Sequence, residues 1–339
     1  MTFIILGAGA IGCYVGGRLA AAGQHLSLVG RPRIIEALSR HGLRVSDQSG
    51  FDTSVPPDNL HLATSLSDAL RSRGGAPHDP FVLLVCTKAT GTATAAAEIG
   101  LACPAGTVVV SLQNGVENAA RLQAGAPKCK VLAGMVPFTV NWRNTHHVYQ
   151  ANAGCLQILR SADSESFAQT LRAAGLGAEL HDDMQGILWG KLLLNLLNPI
   201  NALANLPIHA QLMQRDHRRV FAALQDEALA VLKAAHIQPA KVAAAAPHVV
   251  PKVLRLPDWL FTRVAKGMLK TESAARTSMC DDLQNGRPTE IDDLCGAVLR
   301  LATKHGMKAP LNQAVLELVA NYRKGQDWSG SRLRVELGL

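Results

Sequence analysis

The stretch GILWGKLLLNLLNP, residues 186–199, sets a lysine and two asparagines in an almost continuous run of leucines. At 100° per residue, Asn195 lies about 40° from Lys191 around a helix axis, and Asn198 returns to within about 20° of it. Lys191, Asn195 and Asn198 therefore share one face, and the rest of that face carries no further charge. Burying an ammonium without a partner costs several kcal/mol, on the order of a whole domain's stability. The pattern makes sense if a polar, anionic ligand completes it. A proton donor and two amides would then converge on one small molecule. Glu290, which opens the helix in TEID after the break NGRP at 285–288, is a candidate countercharge for Lys191. The structural reading of the same segment is Thr289 as N-cap, with Asp292 and Asp293 favourable in the first turn.

A second constellation is GAGAIG, residues 7–12, which satisfies G-x-G-x-x-G. Among 29 glycines the match alone is weak, but an apolar β-run precedes it and the helical CYVGGRLAAAG follows. Gly7 permits the tight turn, Gly9 admits a pyrophosphate against the backbone, and Gly12 lets the helix pack on the sheet. With Ala8, Ala10 and Ile11 they form a dinucleotide loop whose phosphates lie at a helix N-terminus. The second strand, HLSLVG at 25–30, ends without the carboxylate that would hold a free ribose diol; Arg31, Pro32 and Arg33 follow it. An arginine there pairs with a 2′-phosphate, so the expected cofactor is NADP. Arg31 is the better placed and Arg33 the reserve. Two further strand ends carry polar groups: Thr87 and Lys88 after LLVC, and Gln113, Asn114 and Gly115 after VVSL. In doubly wound sheets ligands sit beyond such carboxyl ends. A turn role for Asn114 and an exposed surface lysine at 88 are the plain alternatives.

The elements that must position these residues follow from the hydrophobic pattern. Strands are expected at 3–8, 25–30, 81–87, 107–113 and 131–140, separated by helices, which implies a parallel sheet covered on both faces. A small hairpin is expected at 41–56 and a strand pair near 147–160. After about residue 182 strand signals stop, and helices are expected at 183–204, 216–236, in broken form through 247–270, then 271–285, 290–306 and 311–324. The fold class is α/β, a doubly wound N-terminal domain (1–180) followed by an all-helical one (181–339).

The totals of the chain exclude several functions. Its 339 residues suit about two domains. Net charge is +8, yet Lys and Arg are spread thinly and lack interleaved aromatics, so nucleic acid is not an expected partner. RDHRR at 215–219 is read as a solvated helix face. No run of about 18 wholly apolar residues argues for a membrane span. Seven cysteines without CxxC spacing fit reduced thiols in the cytoplasm, and the scattered histidines suggest no metal site.

Taken in order, GAGAIG, CTKA, QNGVE, WGKLLLN with NP, and S followed by TEID resemble the ketopantoate reductase (2-dehydropantoate 2-reductase) family over essentially the full length. The resemblance implies a Rossmann-type N-terminal domain, a helical C-terminal domain, and NADPH-dependent reduction of ketopantoate on the route to pantothenate and coenzyme A. It implies Lys191 and Glu290 as the catalytic pair. It places Asn114 beside cofactor and substrate, Lys88 near the cofactor, and Arg31 on the 2′-phosphate. Asn195, Asn198 and Ser278 would bind a small anionic 2-oxo acid, and a homodimer is compatible with the family. The second helix asparagine falls seven residues after the lysine, where some members have eight, and Ile208 stands where those members have another asparagine. Another small 2-oxo acid or carbonyl compound is thus the alternative substrate. A non-catalytic NADP-binding regulator ranks below both, because it gives Lys191, Asn195 and Glu290 no purpose.

Overall fold

The computed structural model describes residues 1–72, 80–242, 245–269 and 275–339, so residues 270–274 of the expected 247–270 and 271–285 helices lie outside it. Two compact units, Met1–Met184 and Gln185–Leu339, divide the chain.

The first unit is built on strands β1 (Thr2–Leu6), β2 (His25–Val29), β3 (Leu43–Asp47), β4 (Asp52–Val55), β5 (His61–Ala63) and β6 (Phe81–Val85). They are followed by β7 (Val108–Ser111), β8 (Lys130–Met135), β9 (Val140–Trp142), β10 (His147–Gln150), β11 (Leu156–Leu159) and β12 (Ala178–His181). The main sheet has the order β12-β11-β8-β7-β6-β1-β2-β5. From β5 to β8 every pairing is parallel; β11 runs antiparallel to β8 and parallel to β12. Alternation along a strand explains why both faces are apolar. Phe3 and Ile5 enter one core with Cys13, Val15 and Leu19 of the Ala10–Ala21 helix. Ile4 and Leu6 enter the other with Ala95, Ala96 and Ile99.

The expected 41–56 hairpin is present as β3 and β4. The expected strand pair near 147–160 is not: β10 pairs with β3 and β9 in a separate four-stranded sheet, while β11 joins the main one. The single strand expected over 131–140 is likewise split between the two sheets as β8 and β9, with Pro137, which lacks an N–H, in the intervening segment. The small sheet packs on the Ala10–Ala21 helix, where a Cβ on Gly17 would meet Val45 Cγ2 at 2.2 Å. Arg18, one residue on, is buried. Its guanidinium donates to Asp47 Oδ2 (2.9 Å), Ala174 O (3.1 Å) and Gly175 O (2.9 Å) and stacks on Phe51.

The regular secondary structure of the second unit is helical among its described residues. The Arg215–Ala234 helix packs against Val250–Leu254, Pro310–Ala320 and Gly330–Glu336. RDHRR is not a solvated face. His217 and Arg218 are buried, and Arg218 donates to the carbonyls of Leu212, Leu254 and Leu256 and to Asp258 Oδ1 at 2.7 Å. The guanidinium is inside because its fork of donors finds an acceptor in each direction. The expected 183–204 helix is two, Gln185–Asn195 and Leu197–Ala204, joined by a turn at Leu196. By length and mean hydropathy (1.2) the Gln185–Ala204 segment could cross a membrane, but 67% of it is buried inside the protein, as a core helix pair is. None of the seven cysteines is in a disulfide.

Candidate active site

In the first unit the strand order reverses between β1 and β6, the switch point at which open α/β sheets bind ligands. Gly7 follows β1 and Thr87 and Lys88 follow β6, and the two loops touch. A Cβ on Gly7 would lie 2.6 Å from Thr87 N, and the residue has φ +114°, a conformation that side chains disfavour. A Cβ on Gly12 would meet Gly7 O at 2.1 Å, so this glycine is needed for the helix to start under the loop. Gly9 differs. It is exposed, and a Cβ there would meet no protein atom within 4 Å, so the space above it is open to a ligand. Gly9 is the N-cap and offers no side-chain cap, which leaves the N–H groups of Ala10, Ile11 and Gly12 without a carbonyl four residues back inside the helix. Ala8 is buried, donates its N–H to Val29 O (2.8 Å) and lies under Gly30, whose Cβ would meet Ala8 Cβ at 2.6 Å. Residues 7–12 thus fit a dinucleotide pyrophosphate: donors, a positive helix end and room for the anion coincide.

Arg31 is the exposed N-cap of the Pro32–His41 helix, and Arg33 is exposed beside it; neither forms an ion pair among the described residues. Glu36, the first carboxylate after the strand, is bound instead to Arg40. Lys88 and Asn114 are both exposed at their strand ends. Asn114 and Gly115, at φ +106°, sit in a bend held from below by a polar network that the sequence reading missed. Gln113 Nε2 donates to Thr87 Oγ1 (3.1 Å) and Thr92 Oγ1 (2.9 Å), Thr92 Oγ1 donates to Asn118 Oδ1 (2.9 Å), and Asn118 Nδ2 donates to Asn114 O. Gln113, Thr92 and Asn118 are all buried. Through them the CTKA and QNGVE strand ends become one rigid platform.

In the second unit Lys191 and Asn195 lie one turn apart on the uninterrupted Gln185–Asn195 helix. Asn198 is reached through the turn at Leu196, so the 100° reckoning holds strictly only for the first two. All three are half-buried. Burial lowers the Lys191 pKa from the ordinary lysine value, and among the described residues no carboxylate lies within ion-pair distance of its ammonium. Glu290 is half-buried and is not ion-paired with Lys191. It directly precedes a helix that opens as a π-turn, Asp292–Gly296, a feature that often accompanies functional sites. Asp292 accepts from Arg300 Nη1 at 2.9 Å, whereas Asp293 is buried. Ser278 is exposed at the first position of the Ser278–Gln284 helix. Asn201, three residues after Asn198, is fully buried.

What holds the Lys191 helix is a pair of glycines one turn apart. A Cβ on Gly186 would lie 2.6 Å from Gln238 O, one on Gly190 would lie 2.3 Å from Ala240 O, and Ala240 N donates to Gly186 O at 2.8 Å. From a different element, the Arg215–Ala234 helix, Gln225 Nε2 donates to Leu193 O (2.9 Å).

The family described as Ketopantoate reductase PanE/ApbA matches residues 3–161, and its C-terminal counterpart matches residues 183–323. A 2-dehydropantoate 2-reductase from Archaeoglobus fulgidus is 30% identical over 331 residues, 95% of this chain and 97% of that one. The chain belongs to the ketopantoate reductase family. A crystal structure of a PanE/ApbA family ketopantoate reductase from Ralstonia eutropha is 30% identical and superposes with a TM-score of 0.78, covering 94% of this chain and 97% of the other. D-mandelate dehydrogenase bound to NADH and anilino(oxo)acetate shares the fold at 19% identity, with a TM-score of 0.74 and full coverage of both chains.

In this ketopantoate reductase family member the glycine pair gives a direct test of the helix's role. Gly190→Ala must displace backbone, because the Ala240 oxygen it would strike cannot rotate away. An ångström of displacement at a catalytic group costs about 10²-fold, so kcat/KM should fall on that scale and the melting temperature should drop. Gly267→Ala, where a Cβ meets nothing within 4 Å, is the neutral control. Equal activity in the two variants would remove Gly190 from the argument.

Proposed function

We propose that this chain reduces 2-dehydropantoate to pantoate with NADPH, in pantothenate and coenzyme A biosynthesis. Membership of the ketopantoate reductase family makes it an NADP-dependent oxidoreductase acting on a CH–OH group. The observation that carries the specific reading is Lys191, a half-buried lysine without an acidic partner among the described residues, one turn from Asn195.

Bound NADPH would supply the hydride. Backbone N–H groups of residues 10–12 would hold its pyrophosphate and Arg31 its 2′-phosphate, with Lys88 and Asn114 at the adjoining strand ends. Lys191 hydrogen-bonds the ketone oxygen and delivers its Nζ proton as negative charge gathers there. Its lowered pKa makes the ammonium a stronger acid, better matched to proton donation near neutrality. Asn195, Asn198 and Ser278 bind and orient the small anionic 2-oxo acid, and Glu290, which makes no ion pair with Lys191 in this structure, is the second catalytic group of the proposal. A cytoplasmic location is part of the proposal, and seven cysteines outside any disulfide fit a reducing compartment. So is a homodimer; a dimeric ketopantoate reductase from Staphylococcus aureus shares the fold at 17% identity.

A panel of small 2-oxo acids assayed by loss of NADPH absorbance tests this. 2-Dehydropantoate should give the highest kcat/KM. A better competitor would shift the assignment to another 2-oxo acid, the outcome that Ile208 and the seven-residue spacing from Lys191 to Asn198 would then explain. Consumption with none of the panel would leave a binding protein.

A further inference from the structure

Asn201 is fully buried on the Leu197–Ala204 helix, three residues after Asn198. Its side chain is completely used. Nδ2 donates to Leu206 O (2.8 Å) and to Gln211 Oε1 (2.8 Å), while Oδ1 accepts from Thr277 N (3.0 Å) and from Thr277 Oγ1 (3.1 Å). Thr277 is in turn the N-cap of the Ser278–Gln284 helix, accepting from Cys280 N at 3.2 Å. The chain between these elements is tied again where Ile208 N donates to Ala275 O (2.8 Å). One amide therefore joins the helix that carries Asn198, the turn and short helix that follow it, and the first residue before Ser278. The two helices pack against each other around this joint.

We infer that Asn201 is a positioning residue for the reaction. Through Thr277 it fixes the separation of Asn198 from Ser278, and so the register in which the 2-oxo acid lies against Lys191. The inference rests on the function proposed above. An amide suits the task because it has two donors and two acceptor sites, and the four bonds found here reach three residues, Leu206, Gln211 and Thr277. Removing it takes this partner from Leu206 O, from the buried Gln211 side chain and from both Thr277 groups, and the helix ends can relax apart.

The test begins with the wild-type chain, which must reduce 2-dehydropantoate with NADPH; if it does not, the functional reading falls and this inference with it. Asn201→Ala should then raise KM for the 2-oxo acid by about 10–100-fold, the scale of an ångström's misplacement. NADPH affinity, measured by fluorescence titration, should be unchanged. Should Asn201→Ala fail to fold, Thr277→Val keeps the volume and deletes only the hydroxyl, and Thr277→Ser keeps the hydroxyl. KM raised in the valine variant and restored in the serine variant supports the inference. Wild-type KM in the valine variant alongside a lowered melting temperature means that the joint serves stability alone, and overturns it.

Discussion

Lys191→Ala is expected to lower kcat for 2-dehydropantoate by about 10²–10⁴-fold, the usual contribution of a positioned proton donor, with the protein folded and NADPH still bound. The folded state should tolerate the change well. The wild-type ammonium is desolvated among leucines without a paired carboxylate among the described residues, so folding is working against its charge. Lys191→Met, which fills the same space without the charge, should be at least as stable as wild type while equally inactive. The pH dependence has a definite sign. The folded-state pKa lies below the ordinary lysine value of 10.5 that applies to the unfolded chain, so the unfolded state binds more protons between the two. Wild-type stability should therefore rise with pH across that window, and the Lys191→Met variant should lose that rise. Activity runs the other way, falling as Lys191 deprotonates. Near-normal turnover in Lys191→Ala would sink the assignment.

Arg31→Ala is expected to raise KM for NADPH by about 10–100-fold and to leave the poor NADH reaction where it was. A charge-assisted bond to the 2′-phosphate is worth roughly 1.5–3 kcal/mol, and 1.4 kcal/mol is tenfold in affinity. The fold should be unaffected, because the Arg31 side chain is exposed and holds no ion pair among the described residues. Its backbone carbonyl, which accepts from Ile34 N (2.9 Å) and Ile35 N (3.1 Å), is retained in the variant. Steady-state kinetics with both cofactors is the measurement. Equal losses with NADPH and NADH would move Arg31 from the 2′-phosphate to the common part of the cofactor. Arg33→Ala run in parallel separates the two arginines, which the sequence ranks only by their distance from the strand.

Much of the site could be read in advance because its signals are local. A glycine that must take a positive φ or lie against a neighbouring loop leaves a mark in the string, as Gly7 and Gly12 do. A lysine among leucines does too. The supports of the site were less visible. Gly186 and Gly190 are spaced one turn apart, and that spacing could have suggested a close backbone approach; which backbone, the segment around 238–240, could not be inferred. Gln113, Thr92 and Asn118 are ordinary polar residues until the fold buries them together. Arg218 looked like part of a solvated run, and nothing in the string marks Asn201 as interior.

The sequence by itself determined the alternation of strand and helix, the central strands, the glycine-rich turn that fits a dinucleotide, and the helix that carries Lys191. Each of these depends on periodicity or on turn chemistry within a dozen or so neighbours, and that information is complete in the string. Tertiary structure alone decided where β10 and β11 go. Both read as short amphipathic strands, and nothing local separates an edge of the main sheet from a partner for β3. It alone decided that Arg18, Arg218 and Asn201 are interior, because a charged or amide side chain is buried only where distant backbone carbonyls and side chains supply every partner at once. Such partners lie up to 157 residues away in the chain, as Gly175 does from Arg18, and no pattern within a window can register them.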